Sequence, residues 1–169
     1  MTVIRKLTYS GLFLALAVLL PLVFHLAGFA GQVFLPMHIP VLLCGFICGK
    51  RYGLLVGAIA PLINTLITGM PVLYPIGIAM VFELAAYGFF SGFLYEKINK
   101  VIPALLGAMI FGRVVRIAAT YLITVPFGAA FIFKGILTAL FITSIWGILI
   151  QLIIIPLIMK GHKYFQRKT

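Results

Sequence analysis

Three ionisable side chains, Glu83, Arg113 and Arg116, stand inside long apolar runs. On insertion scales a charge at such a position costs roughly 2.5–3.5 kcal/mol, so it pairs with an opposite charge or lines a polar cavity. Two guanidinium groups against one carboxylate leave a surplus of positive charge. That surplus suits an acceptor-rich or anionic group on a ligand. The chemistry implied is recognition rather than turnover. General acid–base work lacks its partners, because the chain's two acidic residues are both Glu and the second, Glu96, is expected in a turn at the far end of its run.

The charged face continues. Arg113, Arg116, Thr120 and Thr124 recur at helical spacing and form one polar stripe. Met80, Glu83 and Tyr87 make a matching face, and Ser144, Gly147 and Gln151 a third. The Glu–Arg pair then either fixes helix packing or forms the floor of a polar pocket. Asn64 reads as a ligand contact or an interhelical hydrogen bond. His38 reads as a cap or interfacial residue, or as a ligand contact. His25, Gln32 and Tyr74 fall at a membrane interface, where tyrosine is common in any case. Trp146 either stacks on a planar ligand or packs. Cys44 and Cys48, four apart, are read as small packing residues, since a metal site would need further ligands. Gly45–Arg51 has the outline of a phosphate loop, but it is one residue short and lacks the Ser or Thr after Lys50. No HExxH, nucleophile elbow or carboxylate pair is present, and no cofactor is implied.

The elements that must position these residues are membrane helices. Of 169 residues 64% are hydrophobic and only 9% charged, with a mean hydropathy of +1.26, a composition that cannot cover a water-facing surface. A formal charge of +11 would suit nucleic acid, but the basic residues sit between apolar runs rather than along one face. Nucleic-acid binding, disorder and a secreted disulfide scaffold are therefore disfavoured. At about 20 residues per span, the apolar runs predict an all-α integral membrane six-helix bundle, a single domain over residues 1–169. The expected spans are 7–28, 38–49, 52–68, 76–95, 101–125 and 135–159. The first run is as long as a span and lacks a small-residue cleavage site, so it reads as a retained helix rather than a signal peptide. Proline-containing approaches, Leu35–Pro40 and Gly69–Pro75, precede the second and fourth spans, as expected where a bundle lines a cavity.

Orientation follows from the basic residues. With both termini cytoplasmic, Arg5, Lys6, Lys50, Arg51, Lys97, Lys100, Lys160, Lys163, Arg167 and Lys168 lie inside, ten of the thirteen. Only Lys134 lies outside, in one of the outward loops 29–37, 69–75 and 126–134. At the usual helical rise, Glu83 and Arg116 lie about 10 and 13 Å below the outer ends of their spans, so they can meet in the outer half. The charge is thus a topology signal set against the lipid bilayer, with anionic lipid as an added attraction.

The segment Leu35–Tyr95, through its stretches HIPVLLCGFICG and GMP-x-x-YP-x-x-IAM-x-FELA-x-YG, resembles the substrate-binding S components of energy-coupling factor (ECF) vitamin transporters. Length, spans and basic termini fit the whole chain less specifically. The resemblance implies a multi-pass protein of the bacterial plasma membrane that binds a vitamin or precursor in its outer half. It also implies partners: a transmembrane coupling subunit and two ATPase subunits, which supply the energy source this chain lacks. Loop one is expected to close over the site. By position the resemblance again picks out Glu83, Arg116, Gln32, Tyr74 and Asn64. It implies vitamin B6-like compounds, a pyrimidine precursor of thiamine, or cobalamin and its α-ribazole building block as ligands. It further assigns a coupling-subunit docking face to Gly11 and Ala15, where Gly replaces the first Ala of an Ala-x-x-x-Ala-like motif; ordinary intramolecular packing is the other reading of the two. A standalone proton-coupled carrier or channel with Glu83 as relay is the alternative function, disfavoured by the lack of repeats. A membrane enzyme is the third.

Overall fold

The computed structural model describes residues 2–28, 31–125 and 138–166. The expected outward loop 126–134 with Lys134, the first residues of the sixth expected span, and Arg167 and Lys168 lie outside the described residues. All secondary structure among the described residues is helical: α1 (Val3–Leu26), α2 (Gly31–Phe34), α3 (His38–Cys48), α4 (Lys50–Thr68), α5 (Ile78–Ile98), α6 (Val101–Thr124) and α7 (Ile145–Gln166). Wide helical turns at Leu73–Gly77 and Thr138–Thr143 precede α5 and α7.

Helices α1, α4, α5, α6 and α7 are long and apolar enough to cross a membrane, whereas α3 is an apolar helix of 11 residues. This is a multi-pass membrane protein. Internal prolines at 21, 61 and 156 are tolerated, as is common where neighbouring helices satisfy the freed backbone groups. The starts and ends follow local chemistry. The Thr2 side chain accepts from the Arg5 N–H at the start of α1. Gly49, at φ +97°, turns the chain from α3 into α4 in one residue, a backbone conformation open to glycine at no steric cost.

Leaving out the four-residue α2, successive helices run in opposite directions, with the short α3 returning the chain between α1 and α4. At the distal end α1, α4 and α6 finish and α3, α5 and α7 begin; the proximal end is the reverse. Contacts across the bundle fix this arrangement: Lys50 at the start of α4 meets Glu96 in the last turns of α5, and Tyr74 before α5 meets Ile123 at the end of α6. Glu96, expected in a turn, is therefore helical. The core collects Phe13 and Ala17 of α1, Val41–Cys44 of α3, Val56 and Ala60 of α4, Leu84 and Tyr87 of α5, Leu105 and Ala108 of α6, and Ile155 and Met159 of α7.

Helices α3, α4 and α5 approach closest. A Cβ at Gly53 would collide with the Gly88 carbonyl, one at Gly57 with the Leu84 carbonyl, and one at Gly92 with the backbone at Lys50. Ser91 closes this seam, its one hydroxyl hydrogen lying within reach of the carbonyls of Leu42 and Gly88, with Oγ at 3.2 and 3.1 Å from them. Cys44 and Cys48 are buried, with the Cys44 thiol 3.7 Å from Ser10 Oγ, in keeping with packing residues.

Candidate functional site

Helix α5 carries Glu83 and Tyr87 one turn apart, and α6 carries Arg113 and Arg116 on the facing side. Glu83 is 4% exposed. Its Oε2 accepts from Arg116 Nη1 at 3.0 Å, and its Oε1 lies 3.8 Å from His38 Nε2. His38 stands at the first position of α3, held there as its backbone N–H donates to the Leu35 carbonyl at 3.1 Å. Its ring meets Tyr87 edge-on, with centroids 5.1 Å apart. Tyr87 has room because α6 offers Gly112 opposite it, where a Cβ would come within 2.9 Å of the ring. Arg113 Nη2 donates to Ser144 Oγ at 3.3 Å and so ties α6 to the approach of α7.

Four segments thus converge on one buried cluster of a carboxylate, two guanidinium groups, an imidazole, a phenol and a hydroxyl. Burial forces such groups to satisfy one another, because each unpaired member would carry its full desolvation cost. The contact between Glu83 and Arg116 is the one that their depths along α5 and α6 allow. Among the described residues, His38 Nδ1 is buried with no hydrogen-bond partner, as are Asn64 Oδ1 and Gln151 Nε2.

The remaining sequence candidates divide. Tyr74 sits in an extended break of the turn before α5 and donates its hydroxyl hydrogen to the Ile123 carbonyl at 3.1 Å. Asn64 belongs to the α1–α4 contact, donating to the carbonyls of Ala17 and Ala60 at 3.1 Å each. Thr120 and Thr124 continue the face of Arg116 along α6. Their hydroxyls turn back to the carbonyls of Arg116 and Thr120, the usual resort of a threonine in a helix. Trp146 is 61% exposed, whereas Ser144 two residues before it is buried. Gln32 lies in α2, and its side chain is outside the described set. Gly147 packs against α2, where a Cβ would meet the Phe34 backbone at 2.9 Å. Gly11 and Ala15 face outward, opposite the buried residues Ser10, Phe13 and Ala17 of the same helix, and a Cβ at Gly11 would meet nothing.

Two sets of residues escape the sequence reading. Thr65 and Thr68 tether the loop after α4 through the carbonyls of Pro71 and Met70; they carry no spacing signal. The glycine seam does have one, since glycines at 45, 49, 53 and 57 and again at 88 and 92 repeat every four residues, the small-xxx-small pattern of close helix contact.

Among known proteins, the family model described as ECF transporter, substrate-specific component, matches residues 5–159. No curated protein and no solved structure matches the chain.

Proposed function

Because the chain belongs to the family of substrate-specific components of ECF transporters, a class of substrate-binding transporter subunits and not of enzymes, we propose that it captures a vitamin or vitamin precursor at the Glu83 cluster. The observation that carries this reading is a buried carboxylate held between Arg116 and His38, with the second guanidinium of Arg113 on the same face of α6. One carboxylate for two guanidinium groups favours an anionic or acceptor-rich ligand group, and the buried Nδ1 of His38 gives that ligand a further polar atom to address. Tyr87 supplies an aromatic wall for a planar ring. Glu83, Arg113, Arg116, His38 and Tyr87 are the residues we assign to binding; Tyr74 and Gln32 remain candidates from their place in the sequence.

In this reading the protein is a six-helix bundle of the bacterial plasma membrane, with both termini cytoplasmic and the distal end outward. Eight described basic residues at the proximal ends of the helices, Arg5, Lys6, Lys50, Arg51, Lys97, Lys100, Lys160 and Lys163, support that orientation. Coupling to ATP hydrolysis is through a transmembrane subunit and two ATPases on other chains. The exposed small pair Gly11 and Ala15 supports a docking face on α1, because small residues with nothing packed over them allow a partner helix close approach.

A calorimetric and thermal-shift screen of the purified protein against B vitamins and their precursors tests the proposal. One compound, of the B6, thiamine-pyrimidine or α-ribazole type, binds below micromolar concentration, and a screen with neither heat nor stabilisation refutes the reading. In the same system Gly11→Leu abolishes uptake but spares binding; unchanged uptake removes the docking face.

A further inference from the structure

Pro21 lies inside α1. Proline has no amide hydrogen, so the carbonyl four residues earlier, that of Ala17, lacks the donor a regular helix would give it. Ala17 is 0% exposed, and water is no substitute there. Asn64 of α4 supplies the missing donor: its Nδ2 lies 3.1 Å from the Ala17 carbonyl and 3.1 Å from that of Ala60, which uses both amide hydrogens. The anchor itself is firm. One residue on, Thr65 Oγ1 donates to the Pro71 carbonyl at 2.8 Å, and Thr68 Oγ1 accepts from the Met70 N–H at 3.2 Å. Beyond that loop, Tyr74 reaches the end of α6.

We propose that Asn64 is a positioning residue, a pin that fixes the proline break of α1 against the last turns of α4. The distal turns of α1 beyond Pro21 are mostly exposed, with Val23 57% and Leu26 78% accessible, so little packing of their own holds them. Proline breaks are where helices bend. With the break pinned, the distal part of α1 keeps one direction relative to α4 and delivers the chain to α2, which packs on Gly147 of α7. Asn64 then acts through the backbone of α1, and a direct contact with ligand is not its role. The inference concerns the ligand-free protein and stands apart from the binding reading above.

The test is a double-mutant cycle read by amide hydrogen exchange on the ligand-free protein in detergent. Asn64→Ala orphans the Ala17 carbonyl, and exchange at Leu22–Leu26 rises about tenfold, the scale of one lost buried hydrogen bond, while Leu7–Leu14 is unchanged. Pro21→Ala returns an N–H to that carbonyl. In the Pro21→Ala background the same Asn64 substitution changes exchange at Leu22–Leu26 by less than about twofold. Equal effects in both backgrounds, no effect in the parent, or a rise spread over all helices overturns the assignment. Should Asn64→Ala alone fail to fold, recovery of folded protein in the Pro21→Ala, Asn64→Ala double variant is the same rescue, and failure of both variants overturns the pin.

Discussion

The two ends of α5 set the same chemistry in opposite surroundings. Each carries one of the chain's two acidic residues, and each carboxylate meets a cation from a neighbouring helix: Glu96 with Lys50 at 2.8 Å, Glu83 with Arg116 at 3.0 Å. The distances hardly differ. The proximal pair is 49% and 37% exposed, and Lys50 and Lys97 also approach the Phe93 ring at 5.4 and 4.7 Å. The side chains of the distal pair, Glu83 and Arg116, are 5% and 16% exposed and are joined by His38, Tyr87 and Arg113. Water can replace either partner of the proximal pair, so that pair is nearly neutral for stability. Nothing replaces Glu83, and a cluster whose members depend on one another is where selectivity for a ligand can reside.

Substitutions along α5 put that contrast to the test. Glu83→Ala leaves guanidinium charge buried without its carboxylate and costs about 3–5 kcal/mol of stability, read by thermal or denaturant unfolding in detergent. Glu83→Gln keeps the shape and, if the cluster is a binding site, loses ligand affinity with folding intact; joint loss of folding and binding makes the pair structural instead. Gly88, between the two carboxylates, faces the Gly53 carbonyl, so Gly88→Ala costs about 1–3 kcal/mol by overpacking and disturbs both ends alike. Glu96→Gln has the smallest effect, about 0.2–1 kcal/mol, and that fades in high salt. A Glu96→Gln variant as unstable as Glu83→Ala would erase the distinction between the two ends.

Much of this was legible in the chain. Apolar runs broken by Gly, Pro and basic residues marked the first five expected spans to within a few residues, because lipid demands long uninterrupted hydrophobic segments; the sixth, expected over 135–159, is the helix Ile145–Gln166, entered through the wide turn Thr138–Thr143. The rarity of acids did the rest: with two Glu and no Asp, each carboxylate stood out, and the spacing of Arg113 and Arg116 put both on one helix face. What stayed hidden depended on direction rather than on type. Thr120 and Thr124 share the face of Arg116, yet their hydroxyls satisfy their own helix. Trp146 follows Ser144 by two residues, a step that moves a side chain to the other side of a helix, and it is exposed where Ser144 is buried. The depth of Asn64 implied either a ligand contact or an interhelical hydrogen bond; the bond is there, and its acceptor is a backbone carbonyl freed by a proline in another helix. No local pattern announces that.

The glycine seam between α4 and α5 bears on how such a protein can diversify. Where Gly53 and Gly88 meet backbone to backbone, any substitution adds atoms and none removes them. That face has no graded alternatives to offer selection. If the Glu83 cluster holds the cargo as proposed, retuning it for another cargo runs through the side chains of α6 and the first turn of α3, while substitution at Gly53 or Gly88 carries a packing cost whatever the cargo.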